Sequence, residues 1–242
     1  MPLVIKLINV YNISQQPLRE SGRTGIKWFI ERSGIGSEPE QGGKMNNLNT
    51  RRIVFTAVMI AIMLVMNILG IGLIRIPPIN ATTLHVPVVI ATLIGGLWMG
   101  IPAALAFGLM SLYNAVTAPT ILSPFIVNPV ICIGARLCIA LVTYGFMRLL
   151  RYDPVKPNHF KTVLLGFIGS MTNTVLVLGL IWLIYIDKAA QAMGLASEKL
   201  GGALFSIATV SGIPEAAICA LICAALVAAL SKTPYIKMLQ KG

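Results

Sequence analysis

From Arg51 to Lys232 the chain reads as six apolar runs parted by short polar or proline-bearing breaks. The first, residues 53–74, holds 22 residues without a charge. That is enough helix to cross a bilayer core of about 30 Å. The second, 86–97, is short, entered through Pro87 and ended by Gly95 and Gly96. The third runs over 98–116, the fourth over 125–150, the fifth over 162–186 and the sixth over 203–230. Loops are expected at 75–85 with its two prolines, at 117–124, at 148–161 with Pro154 and Pro157, and at 187–202.

Composition agrees. The chain is 56% hydrophobic and 11% charged, with a mean hydropathy of +0.82, where a soluble domain carries about 25% charged residues. Residues 76–135 contain no Asp, Glu, Lys or Arg. The expected fold is an all-α membrane protein, a bundle of six transmembrane helices. No internal repeat is legible, which argues against an inverted-repeat secondary transporter.

The net charge of +11 would suggest nucleic acid in a soluble protein, but here the basic residues sit at helix ends and no basic stripe interleaves with aromatics. One side of the expected membrane holds Arg51, Arg52, Arg148, Arg151, Lys156, Lys161, Lys232, Lys237 and Lys241; the other holds Arg75, Lys188 and Lys199. Nine against three places both termini in the cytoplasm.

Residues 1–44 differ from the rest. They hold six of the 19 basic and four of the eight acidic residues, and Gly, Ser, Pro and Gln crowd into 33–43. They read as a disordered extension or a stretch upstream of the true start, with 45–242 as the membrane domain.

Two ionisable residues fall inside runs, Arg136 and Glu215. A charge at bilayer depth is costly and faces a cavity or a partner. Either the two pair with each other, or they line a cavity and bind a solute. Asn128 stands eight residues before Arg136, close to one helical face, beside the expected kink at Pro129. Ser170, Thr172, Asn173 and Thr174 form a polar girdle in the fifth run, either a solute contact or interhelical hydrogen bonding. Ser211-Gly-Ile-Pro-Glu215 sets Gly and Pro beside the acid, a break tolerated where backbone lines a cavity. His85 reads as a solvated loop residue, or as a contact to a ligand from above. Ala57 with Ala61, and Ala104 with Gly108, place small residues four apart, which lets another helix approach. Cys132, Cys138, Cys219 and Cys223 read as small packing residues.

No phosphate-binding loop, HExxH or GxSxG occurs. With four acidic residues after Met45, no metal site or cofactor is expected, and no enzyme activity. The chain has polar groups for a cavity and no motif that converts energy, so it needs a partner to do work.

The runs Thr83-Leu-His-Val-Pro-Val-Val-Ile90, Ser123-Pro-Phe-Ile-Val-Asn-Pro129 with Arg136, Thr172-Asn-Thr-Val-Leu-Val-Leu178 and Gly212-Ile-Pro-Glu215 resemble, in order, the substrate-binding (S) components of energy-coupling factor (ECF) transporters, over about 48–235. The subgroup associated with pantothenate is the most similar. The resemblance implies a six-helix bundle in a bacterial plasma membrane that captures a vitamin and works with a transmembrane coupling protein of the EcfT type and two cytoplasmic ATPases. It also implies that Ala57 and Ala61 dock on the coupling protein. For pantothenate, Arg136 would take the carboxylate, while Asn128, Asn173 and Glu215 would take the hydroxyls and amide. A pyridoxine or hydroxymethylpyrimidine type of precursor, or a solitary carrier, remains the alternative.

Overall fold

The computed structural model describes residues 47–70, 73–76, 79–117 and 120–233. Residues 1–44, set apart by composition, and both chain ends lie outside the described residues. The described chain is helical apart from one β-hairpin.

Helix α1 spans Asn47–Ile68. It stops short of residue 74 because Gly70 turns the chain at φ +69°, as a glycine after a helix end does. The expected loop 75–85 is instead a hairpin: β1 (Leu73–Ile76) pairs antiparallel with β2 (Ile79–Thr82), Leu73 opposite Thr82 and Ile76 opposite Ile79. A 3-10 turn, Thr83–His85, follows, with the Thr82 hydroxyl accepting from the Leu84 N–H at 3.2 Å.

Helix α2, Val86–Gly95, is entered through Pro87, whose missing N–H is harmless in a first turn. Residues 86–94 are all buried. At about 15 Å it is too short to cross a bilayer. Five helical stretches are long and apolar enough by length and composition: Asn49–Ile68, Leu97–Thr117, Val130–Leu149, His159–Ala192 and Ser197–Ser231. The expectation of six spans is thus met for five, and the second run is a short central helix.

Helix α3 is Leu97–Thr117. After a turn at 120–122 comes the four-residue α4, Ser123–Ile126. The regular helix is interrupted by a turn at Val127, whose φ/ψ stay helical, and a bend at Asn128; the chain then winds through a π-helical turn at Val130–Gly134 and continues as α5, Ala135–Leu149. The break expected at Pro129 is therefore present, since the ring removes a donor and crowds the preceding turn. In the basic loop after α5, buried Tyr152 meets the Thr162 hydroxyl at 3.1 Å, and burial raises its phenol above the ordinary range.

Helix α6, His159–Ala192, is capped by Asn158, whose Oδ1 accepts from the Phe160 N–H at 3.0 Å, and it kinks at Tyr185. Helix α7, Ser197–Ile207, leads through a second π-helical turn, Ala208–Gly212, into α8, Ile213–Ser231. The expected loop 187–202 is thus mostly helix, with the turn confined to 193–196 around Gly194 (φ +68°). Its polar residues Lys188 and Gln191 and its alanines are good helix formers, so polarity there marks an end of the apolar stretch and not of the helix.

Helices α6 and α8 approach closely at Gly166, where a Cβ would lie 2.9 Å from the Ala220 Cα. Ala104 and Gly108 are buried, and the first π-helical turn packs on them, with a Gly108 Cβ 3.2 Å from the Ile133 Cα. That pair is internal packing. The Cys132 thiol, also inside, donates to the Gly108 carbonyl at 3.2 Å. All four cysteines are free.

Candidate functional site

At the end of the bundle that carries the hairpin and the 120–122 turn lies a cavity of about 100 Å³. Since roughly 10–15 Å³ of such space accommodates one water, it has room for a small organic molecule. Among the described helices, α1, α2 and α7 give nothing to its wall. Thr82 and Leu84 lie beside the hairpin; Phe107, Ser111, Asn114 and Ala115 come from α3; Thr120, Leu122, Ser123 and Ile126 come from the turn and α4. Arg136 comes from α5, Asn173, Thr174, Val177, Leu178 and Ile181 from α6, and Ser211, Gly212 and Glu215 from the second π-helical turn and α8.

Arg136 stands in the first turn of α5 and is buried. Its Nη1 donates to the Ile131 carbonyl at 3.2 Å and its Nη2 to the Ser111 hydroxyl at 2.7 Å, while Nε has no partner. The guanidinium carbon lies 5.4 Å from the centre of the Phe107 ring, within range for a cation–π contact. Ile131 belongs to the π-helical turn, so the irregular backbone supplies one of the two acceptors that orient the cation.

Glu215 stands in α8 three residues beyond the second π-helical turn. Its Oε1 lies 3.4 Å from His85 Nδ1. His85 is fully buried at the end of the 3-10 turn, which corrects its reading as a solvated loop residue. It is outside the cavity lining and reaches the site through Glu215. Arg136 and Glu215 share the cavity and attract one another across it, without a direct ion pair within 4 Å.

The girdle on α6 divides. Asn173 and Thr174 line the cavity, and Asn173 Oδ1 is buried without a partner. The Thr172 hydroxyl turns back to the Ile168 carbonyl at 2.7 Å, and Ser170 is buried one turn away from the cavity. Asn128 is not brought to the site. Its Nδ2 donates to the Tyr185 hydroxyl at 2.9 Å and its Oδ1 accepts from the Val130 N–H at 3.0 Å. The eight-residue spacing from Arg136 assumed an unbroken helix. The turn and bend at 127–128 and the wider π-helical turn rotate Asn128 off that face.

The sequence reading also missed α3. Ser111 and Asn114 are polar positions three apart in an apolar run, hence on one face, and that spacing was the available signal. The Asn114 Nδ2 also donates to Asn67 Oδ1 on α1 at 2.6 Å.

The sequence profile of the ECF transporter substrate-specific component matches residues 51–227. The chain belongs to this family. The S component is a transporter subunit that binds a solute within the membrane, and this one is a multi-pass protein of the bacterial plasma membrane. The chain is also similar to the pantothenic acid transporter PanT of Lactococcus lactis subsp. cremoris (strain MG1363), at 32% identity over 194 residues, covering 74% of this chain and 93% of that protein. The family match takes in every cavity residue described above, from Thr82 to Glu215.

Ala57 and Ala61, which the resemblance had marked for docking, are both exposed on α1, beside exposed Val54, Val58 and Ile62. Among the described residues they are left exposed, unlike Ala104 and Gly108, which are buried.

Proposed function

We propose that the chain is the pantothenate-binding subunit of an ECF uptake system. The observation that carries the reading is the state of Arg136: a buried cation in a cavity wall, held by a hydroxyl and a carbonyl and not by a carboxylate. Glu215, the acid in the same cavity, has His85 as its ionic neighbour. Such a site gains most from a ligand that brings its own negative charge. Pantothenate brings one carboxylate, together with hydroxyls and an amide for Asn173 and Glu215. The similarity to PanT supports the same ligand.

In this reading the chain crosses the membrane six times with both ends in the cytoplasm, α2 and the 3-10 turn filling the second crossing inside the bundle. The cavity opens outward, opposite the basic end formed by Arg51, Arg52, Arg148, Lys161 and Lys232. A coupling protein of the EcfT type meets the Ala57–Ala61 face, and two cytoplasmic ATPases supply the energy. Residues 45–242 suffice for this role, which the start of the family match at residue 51 supports.

The test is to purify the chain in detergent, identify co-purifying small molecules by mass spectrometry and titrate the stripped protein with pantothenate. Retention and saturable binding of pantothenate are expected. Retention of a neutral pyridine or pyrimidine in its place overturns the assignment.

A further inference from the structure

Many helical hydroxyls among the described residues donate to their own backbone, though those of Thr143 and Ser170 are buried without a partner. Those of Thr56, Thr92, Thr117, Thr172 and Ser206 each donate to the carbonyl four residues earlier, at 2.7–2.9 Å, the usual resting place for Ser and Thr in a helix. Ser111 on α3 does not. Its oxygen accepts from Arg136 Nη2 at 2.7 Å, and a guanidinium offers donors only. The Ser111 proton is therefore not used by Arg136, and among the described residues nothing is recorded as accepting it. Ser111 lines the cavity.

The other polar groups of the cavity wall sort by side. Arg136 Nε, a donor without a partner, stands with Ser111 on the α3 and α5 wall. Asn173 Oδ1, an acceptor without a partner, and the Glu215 carboxyl, whose Oε1 faces His85, are buried on the α6 and α8 wall. One wall offers donors and positive charge; the other offers oxygens.

Building on the pantothenate reading above, we infer that Ser111 is a specificity-determining residue. Its oxygen holds Arg136 in place and its proton donates to the ligand's carboxylate. The ligand therefore lies across the cavity with its anionic end on α3 and α5 and its hydroxyl-bearing end toward Asn173 and Glu215. A hydroxyl whose oxygen already accepts from a cation is polarised toward donation, and a hydrogen bond to a charged acceptor is stronger than one to a neutral oxygen. Ser111 thus discriminates a carboxylate from the corresponding alcohol.

The experiment titrates the full chain, purified in detergent, with pantothenate and with pantothenol, which carries a primary alcohol in place of the carboxylate. Ser111→Ala should weaken pantothenate binding by roughly 10- to 100-fold, the weight of a hydrogen bond to a charged group. It should weaken pantothenol binding by about threefold or less, as loss of a neutral hydrogen bond at the low end does. Ser111→Thr, which keeps the hydroxyl, should restore pantothenate binding. If alanine leaves the protein unfolded, Ser111→Cys, close in size but a weak donor, should give the same loss. Unchanged pantothenate binding in the folded variant, or equal loss of both ligands, overturns the inference and leaves the vitamin assignment standing. A wild-type chain that does not bind pantothenate overturns both.

Discussion

Glu215 finds its ionic neighbour in His85, Oε1 to Nδ1 at 3.4 Å, both side chains buried. The contact joins the turn that follows the hairpin to the start of α8, and it leaves Arg136 to the cavity. Removing either partner strands the other in a medium that cannot solvate it. His85→Ala should therefore destabilise the chain by about 1–3 kcal/mol, the penalty for an unsatisfied buried polar group. The loss should shrink when Glu215→Gln is added, because the two sites are coupled. Thermal unfolding of the four proteins in detergent measures the coupling, and strict additivity would deny it.

Arg136→Ala should cost pantothenate affinity by roughly 2–5 kcal/mol, as truncation of a buried hydrogen-bonded charge does. The variant should still fold, since among the described residues no carboxylate lies within 4 Å of the Arg136 guanidinium. Arg136→Gln should recover part of the hydrogen bonding and none of the charge. Calorimetric titration alongside an unfolding midpoint separates binding from stability. If both variants are stable and bind normally, Arg136 serves the fold alone.

Ala57→Trp and Ala61→Trp should leave ligand binding intact and abolish uptake in cells. Both residues are exposed on α1, so bulk there disturbs no buried packing among the described residues but blocks close approach by another helix. Loss of binding in the purified variants would contradict this.

Gly212 ends the second π-helical turn and lines the cavity. A Cβ there would lie 2.8 Å from the Thr174 Cγ2. Gly212→Ala should displace Thr174, lower stability by about 1–3 kcal/mol through overpacking and weaken ligand binding. Gly202→Ala, where a Cβ meets nothing within 4 Å, is the control and should change neither.

A chain beginning at Met45 should insert, bind and support uptake like the full chain. Whole-cell uptake of labelled pantothenate checks it, and loss of insertion would assign residues 1–44 a role.

Apolar run length placed the long helices because lipid demands long uninterrupted apolar stretches. The same signal does not tell a crossing from a buried helix in the second run, since a helix surrounded by protein is as apolar as one surrounded by lipid. Arg136, Glu215 and Asn173 were legible as polar residues where polarity is costly. Asn128 was misplaced because a helical face can be projected only through regular helix, and residues 127–134 are not regular. Ser111 was overlooked because a lone serine in an apolar helix normally satisfies itself on its own backbone. His85 was underrated because its partner lies 130 positions further along the chain.

The two π-helical turns, Val130–Gly134 and Ala208–Gly212, each stand shortly before a charged residue of the cavity, Arg136 and Glu215. Each widens a helix by one residue per turn where it occurs, shifting the phase of everything that follows. The extra residue in each turn sets the charge behind it back by one helical step, about 100°, from where an unbroken α-helix of the same sequence would put it. Turning either stretch into regular α-helix with all its residues kept would swing that charge from the cavity toward a neighbouring helix or lipid, whereas deleting one residue from the turn would leave its direction nearly unchanged.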